Sequence, residues 1–153
     1  MGADVTMITA SPEKGSDAVR LGAAHVLVSK NAADMKAARG SFDFLLNTVP
    51  VAHDLNPYMT LLNRNGTMVI VGAIDTFNGV SSGLMIQGRR RVAGSLIGGI
   101  DQTQQMLDFC GAHNIVSDIE MIDMQGINEA WERVVRADVK YRFVIDMKSL
   151  NAA

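Results

Sequence analysis

The sequence predicts an α/β domain built on a parallel sheet, and three observations carry that expectation. Short β-branched apolar runs alternate with helical segments, the runs are apolar on both faces, and turn residues separate them. The composition agrees: 153 residues, 48% hydrophobic, with fourteen glycines in no collagen period and only three prolines. That supports a packed core and argues against a disordered or fibrous chain. The expected architecture is half of a doubly wound fold, or slightly more.

The first run is Val5-Thr6-Met7-Ile8-Thr9. Ser11 then suits a helix N-cap, Pro12 the first helical position and Glu13 the positive end of the helix dipole, so a helix is expected over 12–21. Gly22 ends it before the strand His25-Val26-Leu27-Val28. A short helix over 32–38, a strand over 42–47, a helix over 53–62, a turn over 63–66 and a strand over 67–72 continue the alternation. A less regular stretch over 73–87 leads to a strand over 91–97. Asp101 with Gln104 reads as a capping box for a helix lined by Met106, Leu107 and Cys110. Beyond Asn114 a strand over 118–122, a helix over 127–136 and a strand over 141–146 are expected. Ile127, Ala130, Trp131 and Val134 recur at helical spacing, which assigns Trp131 to the core.

Several functions are excluded or disfavoured by the same residues. Cys110 is the single cysteine and the three histidines are scattered, so neither a disulfide nor a zinc-binding spacing is available; Cys110 reads as a small buried hydrophobe. The formal charge of -2 offers little counterion release for nucleic-acid binding, and Arg89-Arg90-Arg91 reads as a solvated turn. No apolar run approaches the ~18 residues of a membrane span. With no charged region leading into an apolar stretch at the N-terminus, a cytoplasmic, reducing location is expected. Met1-Gly2 through Thr6 matches an N-myristoylation pattern, against which stands the strand that begins at Val5.

A dinucleotide site needs a glycine-rich turn whose backbone amides meet the pyrophosphate. No G-x-G-x-x-G is present, and Gly94-Ser95-Leu96-Ile97-Gly98-Gly99 has the wrong spacing. The end of the run at Val5-Thr9 is more informative. An NAD site would place an Asp or Glu at the end of the second strand to hold the ribose, but here stand Thr9-Ala10-Ser11, with Lys14 one turn further. Hydroxyls and a lysine suit a 2'-phosphate. A capping Ser11 with a solvated Lys14 is the competing reading, and the two are compatible.

The chain also resembles a known family. Thr48-Val49-Pro50-Val51-Ala52-His53, Pro57-Tyr58, Gly94-Ser95-Leu96-Ile97-Gly98, the run TQQMLDFC from Thr103, Ile127-Asn128-Glu129-Ala130 and the run DVKYRFVID from Asp138 are similar, in collinear order, to the cinnamyl alcohol dehydrogenase group of zinc-dependent, medium-chain alcohol dehydrogenases. The resemblance implies a Rossmann-like, NADP(H)-binding domain over 1–114 and a C-terminal α+β segment over 115–153 that packs with a catalytic domain. It implies that Thr9, Ser11 and Lys14 sit at the adenosine 2'-phosphate, and that Thr48 and Gly72 line the coenzyme cleft. Ser95, Leu96 and Ile97 are then beside the nicotinamide, with Arg142 near the pyrophosphate. Three positions depart from the family pattern: Ala10 lacks the usual hydroxyl, Glu13 adds a negative charge, and Asn47 stands where Asp is common.

The resemblance also implies what this chain does not carry: the first strand, glycine loop and first helix of the coenzyme domain, and every zinc ligand. Neither catalytic nor metal-ligating residues are therefore expected here, and the isolated chain is expected to be inactive in aldehyde reduction. In strand order 3-2-1-4-5-6 the missing strand is central, which leaves edges at 5–9 and 42–47 exposed. About four unpaired backbone groups at about 1–3 kcal/mol each would rival a domain's whole stability. Those edges are expected to pair with each other or with another chain, and the strand near 92–97 offers a further contact for a homo-oligomer. The alternative to a coenzyme-binding portion is a non-catalytic module that self-associates or complements another chain.

Overall fold

In the computed structural model, which describes residues 1–72, 76 and 78–151, the first apolar run becomes strand β1, Thr6–Thr9. It pairs in parallel with β2, His25–Val28, from Thr6 opposite His25 to Thr9 opposite Val28. The crossover begins with a 3-10 turn at Pro12–Lys14 and continues as helix α1, Gly15–Arg20. Gly22 closes it at φ 102°, a left-handed conformation that a side chain would resist. Helix α2, Ala32–Ala37, is capped by Asn31, whose side-chain oxygen accepts from the amides of Ala33 and Asp34.

Strand β3, Phe42–Asn47, matches its expected span, whereas the helix expected over 53–62 contracts to α3, Asn56–Met59. The physical reason lies at both ends. Asp54 Oδ1 accepts from the Asn56 amide at 2.9 Å, holding the entry in an Asx turn. Beyond Met59 the fully buried Leu61 and Leu62 carry the chain into the core and into β4, Leu62–Ile70. The expected turn is present inside this strand: the register jumps from Phe42 opposite Leu62 to Phe44 opposite Thr67. The looped-out residues include Asn65 at φ 64° and a buried Gly66. Helix α4, Ser82–Gly88, and strand β5, Arg91–Gly94, follow. The stretch expected to be irregular over 73–87 lies at 73–75 and 77 outside the described residues; from Ser82 it is helical.

Arg90 corrects the reading of the arginine triplet as a solvated turn. It is half-buried, and its guanidinium donates to the carbonyls of Leu62 at 2.9 Å and Leu84 at 3.2 Å. It thereby ties α4 to β4.

All strand pairs are parallel, in orders β2-β1 and β3-β4-β5. Laid on the doubly wound order 3-2-1-4-5-6, these five strands take positions 3, 2, 4, 5 and 6, and the break falls at position 1. Among the described residues the edges of β1 and β3 do not pair with each other, which leaves pairing with another chain from that expectation. One core nevertheless serves both sheets: Leu27 from β2 and Leu45 from β3 join Leu55, Met59, Leu61, Leu62 and Met68, with Ile8 and Met35 packed against them. Side-chain packing holds the two sheets together while their backbone edges remain separate.

The chain divides into two compact units, Met1–Ile97 and Gly98–Ala153. In the second, helix α5, Ile100–Ala112, starts two residues earlier than the capping box at Asp101 implied. Gly99 is the N-cap, and the Gln102 side chain reaches back to accept from its amide at 3.2 Å. Cys110 is only half-buried, with its sulfur 3.7 Å from that of Met106. Strands β6, Glu120–Asp123, and β7, Phe143–Asp146, form a parallel pair joined through helix α6, Ile127–Val135. Ala130 is the buried residue of α6, while Trp131 is 69% exposed and does not belong to the core. A two-stranded sheet covers a narrow stripe of the helix, and the next residue along points roughly 100° away from it.

Candidate functional site

Eight of the nine residues expected to meet the coenzyme occupy strand C-terminal ends of the first unit. Thr9 ends β1, with Ser11 and Lys14 in the turn that follows; Thr48 follows β3, Gly72 follows β4, and Ser95, Leu96 and Ile97 follow β5. Open α/β sheets bind their ligands at this end because the connections there leave backbone amides and loop side chains facing outward. Arg142 lies in the second unit, exposed just before β7, where its carbonyl accepts from the Glu120 amide at 2.9 Å.

After β1 the chain is held by local hydrogen bonds. Thr9 Oγ1 accepts from the Ser11 amide at 3.1 Å, and the Lys14 amide donates to the Ser11 carbonyl at 3.1 Å. Ser11 occupies the expected N-cap position, extended at φ -115° and ψ 104° with Pro12 after it, but its side chain makes no capping bond. Glu13 follows two residues on, in the first turn. That carboxyl is held below the ordinary carboxylate range, first by its own backbone amide, then by Ser11, with Lys14 and Lys30 adding attraction.

Lys30 escaped the sequence reading. The Ser29 amide donates to the Thr9 carbonyl at 2.9 Å, so the end of β2 lies directly beside the end of β1. The two helical connections make 5–9 and 25–28 parallel neighbours, and that register was the available signal. Lys30 also borders a shallow cavity of about 480 Å³ with Ser29, Met35, Lys36 and Arg39, away from the expected coenzyme contacts.

Beyond β3, Asn47 organises the loop that carries Thr48. Its carbonyl accepts from the amides of Val71 and Gly72 at 3.0 and 3.2 Å, and its side-chain oxygen accepts from Val49 at 3.1 Å. Its amide nitrogen lies 3.0 Å from His53 Nε2, while His53 Nδ1 lies 2.7 Å from the Val51 carbonyl. A proton on Nδ1 satisfies both contacts. His53 thus closes the loop 48–52 over itself, a positioning role that its isolation in sequence concealed. Gly72 serves close approach: a Cβ there would stand 2.6 Å from the Val49 carbonyl oxygen. After β5, the Ser95 amide still bonds the Ile70 carbonyl at 3.1 Å, whereas Leu96 and Ile97 are each 90% exposed.

No three His, Cys, Asp or Glu side chains come together as a metal site among the described residues. His53 and His113 each face a backbone carbonyl, and His113 stacks on Phe109. The donor set of the described residues does not fit zinc.

Comparisons with known proteins bear directly on this arrangement. A family model described as zinc-binding dehydrogenase matches residues 1–112. Aldehyde reductase YahK of Escherichia coli is 52% identical over 158 residues, covering 99% of this chain and 44% of its own length. The solved cinnamyl alcohol dehydrogenase of Sorghum bicolor is 44% identical with a TM-score of 0.88, covering 95% of this chain and 41% of that one. CAD from Helicobacter pylori, solved complexed with NADP(H), is 36% identical with a TM-score of 0.79, over 97% of this chain and 42% of that one. The chain thus spans less than half the length of these relatives, on a shared Rossmann-like parallel α/β fold. With the family model matched across the first unit and into the second, the chain belongs to the zinc-binding dehydrogenase family.

Proposed function

We propose that this chain is the coenzyme-binding portion of an NADP(H)-dependent alcohol dehydrogenase, acting in hydride transfer between an aldehyde and its alcohol. The observation that carries the reading is the gathering of Thr9, Ser11, Lys14, Thr48, Gly72 and Ser95 at strand C-terminal ends of one unit. When bound, the nicotinamide coenzyme supplies the hydride. Ser11 and Lys14 hold the adenosine 2'-phosphate, the hydroxyl by donating to it and the ammonium by charge. Thr48 and Gly72 line the cleft, and the close approach at Gly72 keeps the loops after β3 and β4 in fixed register. Ser95, Leu96 and Ile97 flank the nicotinamide, where two exposed aliphatic side chains exclude water from a ring that must stay aligned. Arg142 meets the pyrophosphate. In this reading the domain extends over 1–114, and 115–153 packs with a catalytic part that supplies zinc.

A second reading rests on the unpaired edges of β1 and β3: a non-catalytic module that self-associates or complements another chain. Titrating the chain with NADPH, followed by coenzyme fluorescence, separates the two. The first reading expects saturable binding that Lys14→Met weakens about tenfold while NADH binding is unchanged. Absence of saturation favours the second.

A further inference from the structure

Thr48 stands in the middle of a side-chain turn that ends on an imidazole. Asn47 Oδ1 accepts from the Val49 amide at 3.1 Å, an Asx turn that spans Thr48. A backbone amide can only donate, so this bond fixes how the Asn47 side chain faces: its oxygen toward Val49 and its nitrogen toward His53. That nitrogen donates to His53 Nε2 at 3.0 Å, and His53 Nδ1 donates to the Val51 carbonyl at 2.7 Å. One protonation state satisfies every bond, the neutral ring with its proton on Nδ1. The Asn47 carbonyl meanwhile accepts from Val71 and Gly72, so the same residue joins the loop after β3 to the end of β4.

We propose that neutral His53 is the positioning residue of the coenzyme loop: acting through Asn47 it holds Thr48 in place, and a second proton on the ring releases the loop and weakens coenzyme binding. The inference rests on the reading that Thr48 lines the coenzyme cleft, and adds to it a residue that acts on the coenzyme only through its neighbours. An imidazolium sets an N-H opposite the Asn47 nitrogen, which is itself a donor. Turning the Asn47 amide over relieves that clash only by setting its nitrogen against the Val49 amide. Either way one bond of the turn is lost. The other groups around the ring do not resolve the conflict. Tyr58 from α3 meets it edge-to-face at 6.0 Å between ring centres, and Asp54 Oδ1 accepts from the Asn56 amide and side chain at 2.9 and 2.8 Å. Among the described residues no salt bridge reaches His53.

The test is calorimetric titration of the 153-residue chain with NADP+ at about pH 8 and about pH 5.5, which bracket the range where imidazoles titrate. His53→Ala is expected to weaken NADP+ about three- to tenfold at the higher pH, the worth of one hydrogen bond. His53→Gln, whose side-chain oxygen can stand where Nε2 does, is expected to recover most of that loss. On acidification the original chain is expected to lose about three- to tenfold more affinity than His53→Gln, which does not titrate. The coenzyme's own phosphate titrates alike against both chains and cancels. Asn47→Asp offers acceptors to the Val49 amide and to an imidazolium together, so it is expected to remove that extra acid loss. Circular dichroism at both pH values checks that each variant keeps its fold. If the original chain and His53→Gln lose affinity in parallel, the positioning role falls and the coenzyme reading stands. If NADP+ fails to saturate any of these chains at the higher pH, the coenzyme reading falls and takes this role with it.

Discussion

Ser11 and Gly72 each have a chemistry that is legible in the sequence and contacts that are not. Ser11 has the chemistry of both a cap and a phosphate ligand, and nothing local distinguishes the two. The extended backbone takes the hydroxyl out of a capping bond, which leaves it available to a ligand. Gly72 was expected in the cleft, but its reason for being glycine is the Val49 backbone, 2.6 Å from where a Cβ would sit. Gly72→Ala is therefore expected to destabilise the fold by about 1–3 kcal/mol, seen as a lowered thermal midpoint by circular dichroism. A midpoint equal to that of the original chain would show that the loop after β3 yields. Asn47 and His53 were the least legible residues of this region, since their side-chain contacts run among neighbours two to six positions apart in a loop without periodicity.

The element whose stability is most open to titration is the β6–α6–β7 unit. Arg133 on α6 donates to Glu120 on β6 at 2.7 Å and to Asp138 at 3.3 Å, and lies 4.8 Å from the centre of the Phe143 ring. Glu120 Oε1 also accepts from the Lys140 amide at 3.0 Å. That backbone bond, followed by the Arg133 hydrogen bond, lowers the Glu120 carboxyl from 4.5. A folded-state value below the unfolded one means the contribution is present above the unfolded value and is lost as pH falls through the folded one. Thermal melts of the chain are thus expected to lose stability on acidification below about pH 4.5, and Glu120→Gln to flatten that part of the profile. An unaltered acid limb in Glu120→Gln would show that this carboxylate does not carry it. The strands of this unit were legible from their apolar runs. Trp131 was not, because helical spacing defines an apolar stripe without saying how much of it a two-stranded sheet covers.

At the scale of the whole molecule the decisive feature is the break between β1 and β3. Met7, Phe44 and Leu46 are 45%, 56% and 58% exposed, and among the described residues neither strand pairs across the break. Open parallel edges with apolar side chains attract further strands. Sedimentation is therefore expected to give a mass above 16.5 kDa that rises with concentration, and Phe44→Lys, which places a charge on that edge strand, to lower it. A single monomeric species at every concentration would remove self-association from the reading.

The alternation of strand and helix, most strand positions, and the resemblance to a dehydrogenase family were determined by the sequence by itself. Each depends on local spacing, on β-branched runs and on short motifs that persist in one dimension. Only the tertiary structure decided that the edges of β1 and β3 stay apart among the described residues, that Arg90 bonds two carbonyls, and that the end of β2 lies beside the end of β1. The strand registers behind them join segments that are distant in sequence, which no local pattern encodes.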